Sequence, residues 1–319
     1  VLVDLTTVTT SMSINQLRGR SFRLDKLWPE KVANNWDIIC LADEFSKGFD
    51  DYLRFKRKHK QLYGVCDDGA IEKGVGHVHP AFTEAKPEGV SETMEIFNEE
   101  MLMRARNRPR TRELWGIGKP FNAVPREAVE IKGNLGGGFP PANSIGVTVW
   151  TDESLIQAIS DAVATSLQNL GLIGFGAKVG GGDRSGGWMR AYLEDATEEE
   201  SAIFAEAMQE ILGPLDNPRY VIPREVKIIS DTWLSNLMPE VLAKYFRKKK
   251  NTLSMFHSVP KVLCRNKEEA MVFQSQWNLK VSPGEIMYGH SKKGKEQVAE
   301  INRVGLVPKT SFHRKSVFL

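Results

Sequence analysis

The stretch SINQLRGRSFRLD, Ser13 to Asp25, gathers three arginines around one glycine. On a helix Gln16, Arg20 and Arg23 fall at about 0°, 40° and −20°, while Ile14, Leu17 and Leu24 lie on the far side. Burying that apolar side aims a glutamine and two guanidiniums at one external point. Gly19, beside the polar face, has no side chain and lets a ligand approach closely. Two guanidiniums held within one turn repel each other unless they share an anion, and a phosphate chain suits their planar forks. The set reads as a site for a phosphate that arrives from elsewhere.

Several elements must position it. VLVDL (Val1 to Leu5) has the pattern of a buried strand, Thr10 or Ser11 can cap a helix running to about Phe22, and WDIICLA (Trp36 to Ala42) is an apolar run of strand length. Together they form a β-α-β unit. A charged helix from about Gly48 to Tyr63 follows, then a glycine-rich stretch to Pro80, an acidic helix near Ser91 to Arg106 and a connector with Pro109, Pro120 and Pro125. The second half opens with a packing helix near Asp152 to Leu170. From Trp188 strands and helices alternate, with helix starts marked by Thr197/Glu200, Asn266/Glu269 and Ser291. WMRAYLE, RYVIP, PKVLC, EIMY and SVFL read as strands.

Gln16 to Arg23, Q-L-R-G-R-S-F-R, resembles the Q-x-x-G-R-x-x-R motif VI of superfamily 2 helicases. The preceding VLVDLTTVTTSMS and the following LD are similar to the second RecA-like domain of the DEAD/DEAH-box family, in the style of its restriction-type and repair-type DNA members. EKVANNWDIICLADEF extends the likeness, which covers Val1 to Ala42. The resemblance implies that Arg20 and Arg23 act as fingers on the γ-phosphate of ATP, that Gln16 couples the nucleotide to the conformational cycle, and that Gly19 belongs to the same nucleotide face. It implies ATP and Mg²⁺ as cofactors, both held mainly by a first RecA-like domain, and a nucleic acid, DNA rather than RNA, as partner.

No G-x-x-x-x-G-K-[ST] and no D-E-x-[DH] occurs in the chain. The expectation is therefore a C-terminal portion of an ATP-dependent helicase or translocase, beginning just before motif VI and inactive as an ATPase alone. The expected fold is α/β: the C-terminal part of a RecA-like domain over residues 1–82, a helical and irregular connector over 83–141, and an accessory α/β or α+β module over 142–319. The rival readings are a nucleic-acid- or protein-binding module with a relic motif VI, and a helicase-linked nuclease.

Other sets carry weaker chemistry. Glu130-Ile-Lys132 and Glu225-Val-Lys227, the latter preceded by Asp216, each present the E-x-K that metal-dependent nucleases use, set against ordinary salt-bridge pairs. His77 and His79 fall on one side if GHVHP is extended, with Cys66 and Asp67 upstream as co-ligands for a metal, though no matching spacing supports zinc. The run from Gly171 to Gly187 holds eight glycines without a Lys-Ser/Thr finish and reads as a flexible junction rather than a phosphate cradle. Arg247, Lys248, Lys249 and Lys250, near Trp233, Tyr245 and Phe246, suit a nucleic-acid backbone, or equally a helix end decorated with cations.

Composition narrows the classes. The net charge of +3 is too small to argue nucleic-acid binding from bulk charge. With 26% charged and 41% hydrophobic residues, disorder is not the expectation. Three cysteines without C-x-x-C spacing fit a reducing, cytoplasmic setting. No apolar run approaches the roughly 20 residues of a membrane span.

Overall fold

The computed structural model describes residues 2–4, 11–20, 26–27, 33, 35–42, 45–83, 90–107, 109–110, 113, 124–134, 152–184, 187–230 and 248–318. Two compact units divide the chain: Val1–Pro125 with Arg184–Gly186 and Ser316–Leu319, and Arg126–Asp183 with Gly187–Lys315. The architecture is mixed α/β, with seven α-helices among the described residues. Arg126–Asn134, inside the range expected to be connector, is a strand that counts with the second unit.

In the first unit, β1 (Leu2–Asp4), α1 (Ser11–Gly19) and β2 (Asn35–Asp37) form a β-α-β unit whose strands pair in parallel, Val3 opposite Trp36. The second strand is shorter than the apolar run WDIICLA suggests. Past Asp37 the backbone turns to other acceptors: Cys40 N–H donates to Asp51 Oδ2 at 2.8 Å and Ala42 N–H to the Gly48 carbonyl, while Ile38 is left exposed. Helix α2 (Asp50–His59) buries Tyr52 and Phe55 against Val75 and Phe82, and the Tyr52 hydroxyl donates to the Phe82 carbonyl at 2.9 Å. The hairpin of β3 (Tyr63–Val65) and β4 (Ile71–Lys73) is joined by Val317 and Phe318, which pair with Glu72 and Ile71. Arg184, almost fully buried, ties its turn by reaching Asp67 at 3.0 Å and the Gly76 carbonyl at 2.7 Å. Helix α3 (Val90–Arg106) adds Met94 and Phe97 to the aromatic core.

The second unit is built on β5 (Arg126–Asn134), α4 (Asp152–Asn169), β6 (Lys178–Arg184), β7 (Trp188–Glu194) and α5 (Glu198–Leu212). A long antiparallel ribbon follows, β8 (Tyr220–Ser230) with β9 (Lys248–Ser258), then α6 (Lys267–Lys280), β10 (Met287–Tyr288), α7 (Lys292–Val304) and β11 (Lys309–Phe318). Among the strands of this unit the order in the sheet is β11-β5-β7-β6. Taken as a β-α-β-β-α-β series, with Gly213 to Pro308 inserted before the last strand, this is the split β-α-β arrangement. Val129 and Ile131 of β5 and Met189, Ala191 and Leu193 of β7 pack with α4, α5 and α6 in one apolar core. Strand alternation then sends Ala128, Glu130, Trp188, Arg190 and Tyr192 to the opposite face.

Local signals at helix starts act as expected. Thr197 and Glu200 form a reciprocal capping box, Asn266 accepts from Glu269 N–H, and Ser291 accepts from Gly294 N–H. PKVLC differs from the strand reading: Lys261–Leu263 is a single 3-10 turn, because Leu263 and Cys264 donate back to the Pro260 and Lys261 carbonyls. The glycine run differs too. Gly180 to Gly182 lie inside β6, where a Cβ on Gly180 would sit 2.4 Å from the Tyr192 ring and one on Gly181 2.2 Å from the Arg190 carbonyl oxygen. These glycines admit the neighbouring strand rather than loosen the chain. Gly181→Ala should therefore lower stability by about 1–3 kcal/mol. Gly176→Ala, with open space around the new methyl, should leave it unchanged or raise it by about 0.4–1 kcal/mol. Urea midpoints measure both, and equal effects would contradict the close approach.

Candidate functional site

Helix α1 presents two opposed faces. Ile14 is buried, and one turn on, Arg18 turns inward with a side chain only 17% exposed. Gln16 and Arg20, likewise one turn apart, are exposed, and a methyl group added to Gly19 between them would meet nothing within 4 Å. Arg20 follows the last helical residue, its N–H donating to the Leu17 carbonyl at 3.3 Å. Arg23 and Leu24 lie outside the described residues.

The sequence pattern gives Arg18 no part. It sits about 200° around the helix from Gln16, on the core side, and a cation there needs a buried acid. Asp37, the last residue of β2, supplies it. Arg18 Nη2 lies 3.6 Å from Asp37 Oδ2 and 3.1 Å from His59 Nε2. Lys58 Nζ pairs with Asp37 Oδ1, and His59 Nε2 is 3.4 Å from Asp37 Oδ2. Burial alone would raise the Asp37 pKa, but hydrogen bonds and charge from His59 and Lys58 outweigh it and hold the carboxyl below the usual carboxylate range. Burial pushes the His59 pKa down, with the Arg18 charge helping and the Asp37 contact opposing. Helix α2 thus ends in cations, favourable at a helix C-terminus, that close on the strand beside α1.

Of the remaining candidates, Glu130 and the two histidines take structural places. Glu130 is fully buried, with Oε1 2.8 Å from Arg190 Nη2 and Oε2 2.7 Å from Lys315 Nζ. Both oxygens are engaged by cations, while Lys132 Nζ stands 5.9 Å over the Trp188 ring. This E-x-K anchors a sheet face instead of presenting a carboxylate to a metal. Glu225 and Lys227 lie in β8 opposite Ser254 and Thr252. His77 is in a 3-10 turn, its Nδ1 contacting the Gly74 carbonyl, whereas His79 packs tilted against Phe82 and edge-on against Phe97. The tight turn separates the two rings that an extended chain would align. Among the described residues no group of three or more His, Cys, Asp or Glu could hold a metal ion. A cavity of about 240 Å³ lies beside α4 and the glycines of β6, but Glu153 is part of its lining and opposes a phosphate there. Arg247 lies outside the described residues; the backbones of Lys248 to Lys250 open β9, Lys248 opposite Ser230.

No described helix is long and apolar enough to cross a membrane. Comparison of the chain with protein-family models, curated proteins and solved structures found no match in any of the three.

Two measurements follow from these buried charges. Glu130→Gln leaves Arg190 and Lys315 without their carboxylate and should cost about 3–5 kcal/mol, while Lys132→Ala, losing an exposed cation–π contact, should cost about 0.5–1 kcal/mol; similar urea midpoints for the two would contradict the buried triad. The second measurement concerns the imidazoles. Burial lowers the pKa of His77 to about 4, aided by nearby charges and opposed by the Gly74 carbonyl. Burial and the Arg224 charge lower His257 to about 3 against its hydrogen bond to the Ile211 carbonyl. With His59, three rings are uncharged when folded yet take up protons near pH 6.5 when unfolded. Stability should be level above about pH 7 and fall as pH drops from about 6.5 toward these folded values. A thermal midpoint that stays constant down to about pH 5 would contradict this.

Proposed function

We propose that the chain is the motif VI-bearing portion of an ATP-dependent nucleic-acid translocase, with Gln16, Arg20 and Arg23 facing ATP and Mg²⁺ held by another RecA-like domain. The observation that carries this reading is the placement of Gln16 to Gly19 on α1 with Arg20 immediately after its last residue. That helix directly follows a strand of a parallel β-α-β unit, and Gln16, Gly19 and Arg20 are exposed together while Arg18 is drawn inward. Domain closure would bring the guanidiniums to the γ-phosphate, where they neutralise charge that develops as the bond to the leaving oxygen breaks. Hydrolysis so gated by closure can be coupled to stepping along a strand, DNA being the favoured partner from the restriction- and repair-type likeness of Val1 to Ala42.

The reading requires a Walker A loop and a D-E-x-[DH] motif in the coding sequence upstream of Val1; a start codon in their place would sink it. In the polypeptide carrying both RecA-like domains, Arg20→Ala or Arg23→Ala should lower ATP turnover by about 10³-fold or more. Lysine at either position should not restore it, because an ammonium lacks the planar fork. Steady-state phosphate release measures this, and near-normal turnover in both alanine variants would remove the central support.

A further inference from the structure

Arg18, the arginine of the triplet to which the motif assigns no part, has a different task from its neighbours. Only Gly19 separates it from Arg20, and that spacing places the two guanidiniums on opposite sides of the helix axis. One is held in a partly buried cluster and the other is exposed. Helix α1 has only nine residues, too few to be stable by itself. Its rotation about its own axis must be set by what its inner side grips. Ile14 supplies a non-directional apolar contact. Arg18 supplies the directional one, because a single Nη2 meets both His59 Nε2 at 3.1 Å and Asp37 Oδ2 at 3.6 Å.

Those two partners come from separate elements. Asp37 closes β2, which pairs with the strand leading into α1, and His59 closes α2, whose Tyr52 and Phe55 are set in the aromatic core. His59 packs on Phe55 with ring centroids 4.4 Å apart, and Lys58 pins the other oxygen of Asp37. A guanidinium tied to both fixes the helix against rotation and sliding together.

We infer that Arg18 is a positioning residue: anchored on Asp37 and His59, it sets the direction from which Arg20 meets phosphate. The inference rests on the translocase reading above. A finger works only from the correct distance and angle, and a displacement of about 1 Å caused by a change away from the chemistry can cost about 10²-fold in rate. Arg18 touches no phosphate, so its loss acts on the rate of the chemical step and not on nucleotide affinity.

The test is a cycle of variants in the polypeptide carrying both RecA-like domains, assayed for ATP turnover over a range of ATP concentrations. Arg18→Gln should lower kcat by about 10- to 100-fold, with KM changed by less than about 3-fold, the pattern of a lost transition-state interaction. In the Arg20→Ala background the same substitution should cause no further loss, since there is no finger left to misplace. Arg18→Lys, which keeps a cation beside Asp37, guards against simple unfolding: it should retain the parent thermal midpoint and still show a lowered kcat, because an ammonium cannot span both partners. Parental kcat in both Arg18 variants, with Arg20→Ala inactive, overturns the positioning role and leaves the translocase reading standing. Equal fractional losses from Arg18→Gln with and without Arg20 also overturn it, as they mark general damage. Full turnover in Arg20→Ala overturns the reading beneath it.

Discussion

Asp37 stands where the Arg18 and Lys58 cations and the His59 ring converge, and the two cations can share that space only while it is ionised. A carboxylate partly removed from water loses hydration and by itself would take up a proton. Here Lys58 and His59 more than offset that loss, so the carboxyl stays charged and in turn holds Arg18. The same constraint appears in the second unit with a single acid between two cations, Glu130 between Arg190 and Lys315. Such clusters do not add much net stability over a well-packed apolar core, since desolvation cancels most of the attraction. What they add is direction. A carboxylate accepts only cations or donors at particular angles, so each cluster selects one arrangement of the strands and helices that meet there.

What can be read from the residues in order divides along the range of the interactions. Helix starts at Thr197, Asn266 and Ser291 are legible because each cap is a contact between a side chain and a backbone N–H three residues away. The β-α-β unit around α1 is legible for a similar reason: its period and its flanking apolar runs are local. Strand extents are not. WDIICLA and PKVLC have strand-like composition, but the backbone donors of Cys40 and Cys264 are taken by Asp51 and the Lys261 carbonyl. The glycine run reads as a junction because the groups that need its missing side chains, the Tyr192 ring and the Arg190 carbonyl, lie on another strand.

The candidate site shows the same division at the scale of single residues. Helical spacing alone places Gln16 and Arg20 together on the outer side, and the exposed pair in the structure has that spacing. Applied to Arg18, the same spacing puts a cation on the core side. Its partners, nineteen and forty-one positions later in the chain, follow no local pattern. A charged residue that falls on the apolar side of an amphipathic helix is therefore the signal worth pursuing, since it demands a counter-charge somewhere in the fold.

Pairing Arg18 inward also decides which guanidinium at this helix faces solvent. Were Arg18 turned outward like Arg20, the two would offer competing approaches and several binding geometries. The Asp37 carboxylate, which Arg18 shares with Lys58, holds that guanidinium inward, and the lowered pKa of His59 keeps that ring from adding another positive charge near neutral pH. From solvent, the described part of the helix then presents Arg20 as its accessible guanidinium, next to the exposed amide of Gln16 and the bare backbone of Gly19. Under the translocase reading proposed above, a phosphate would meet that corner of α1 and not the arginine that holds the helix. Anchoring and selectivity follow from the same ion pair. A helix that kept its orientation through apolar contacts alone would still have to neutralise Arg18 by some other means, or share the anion with it.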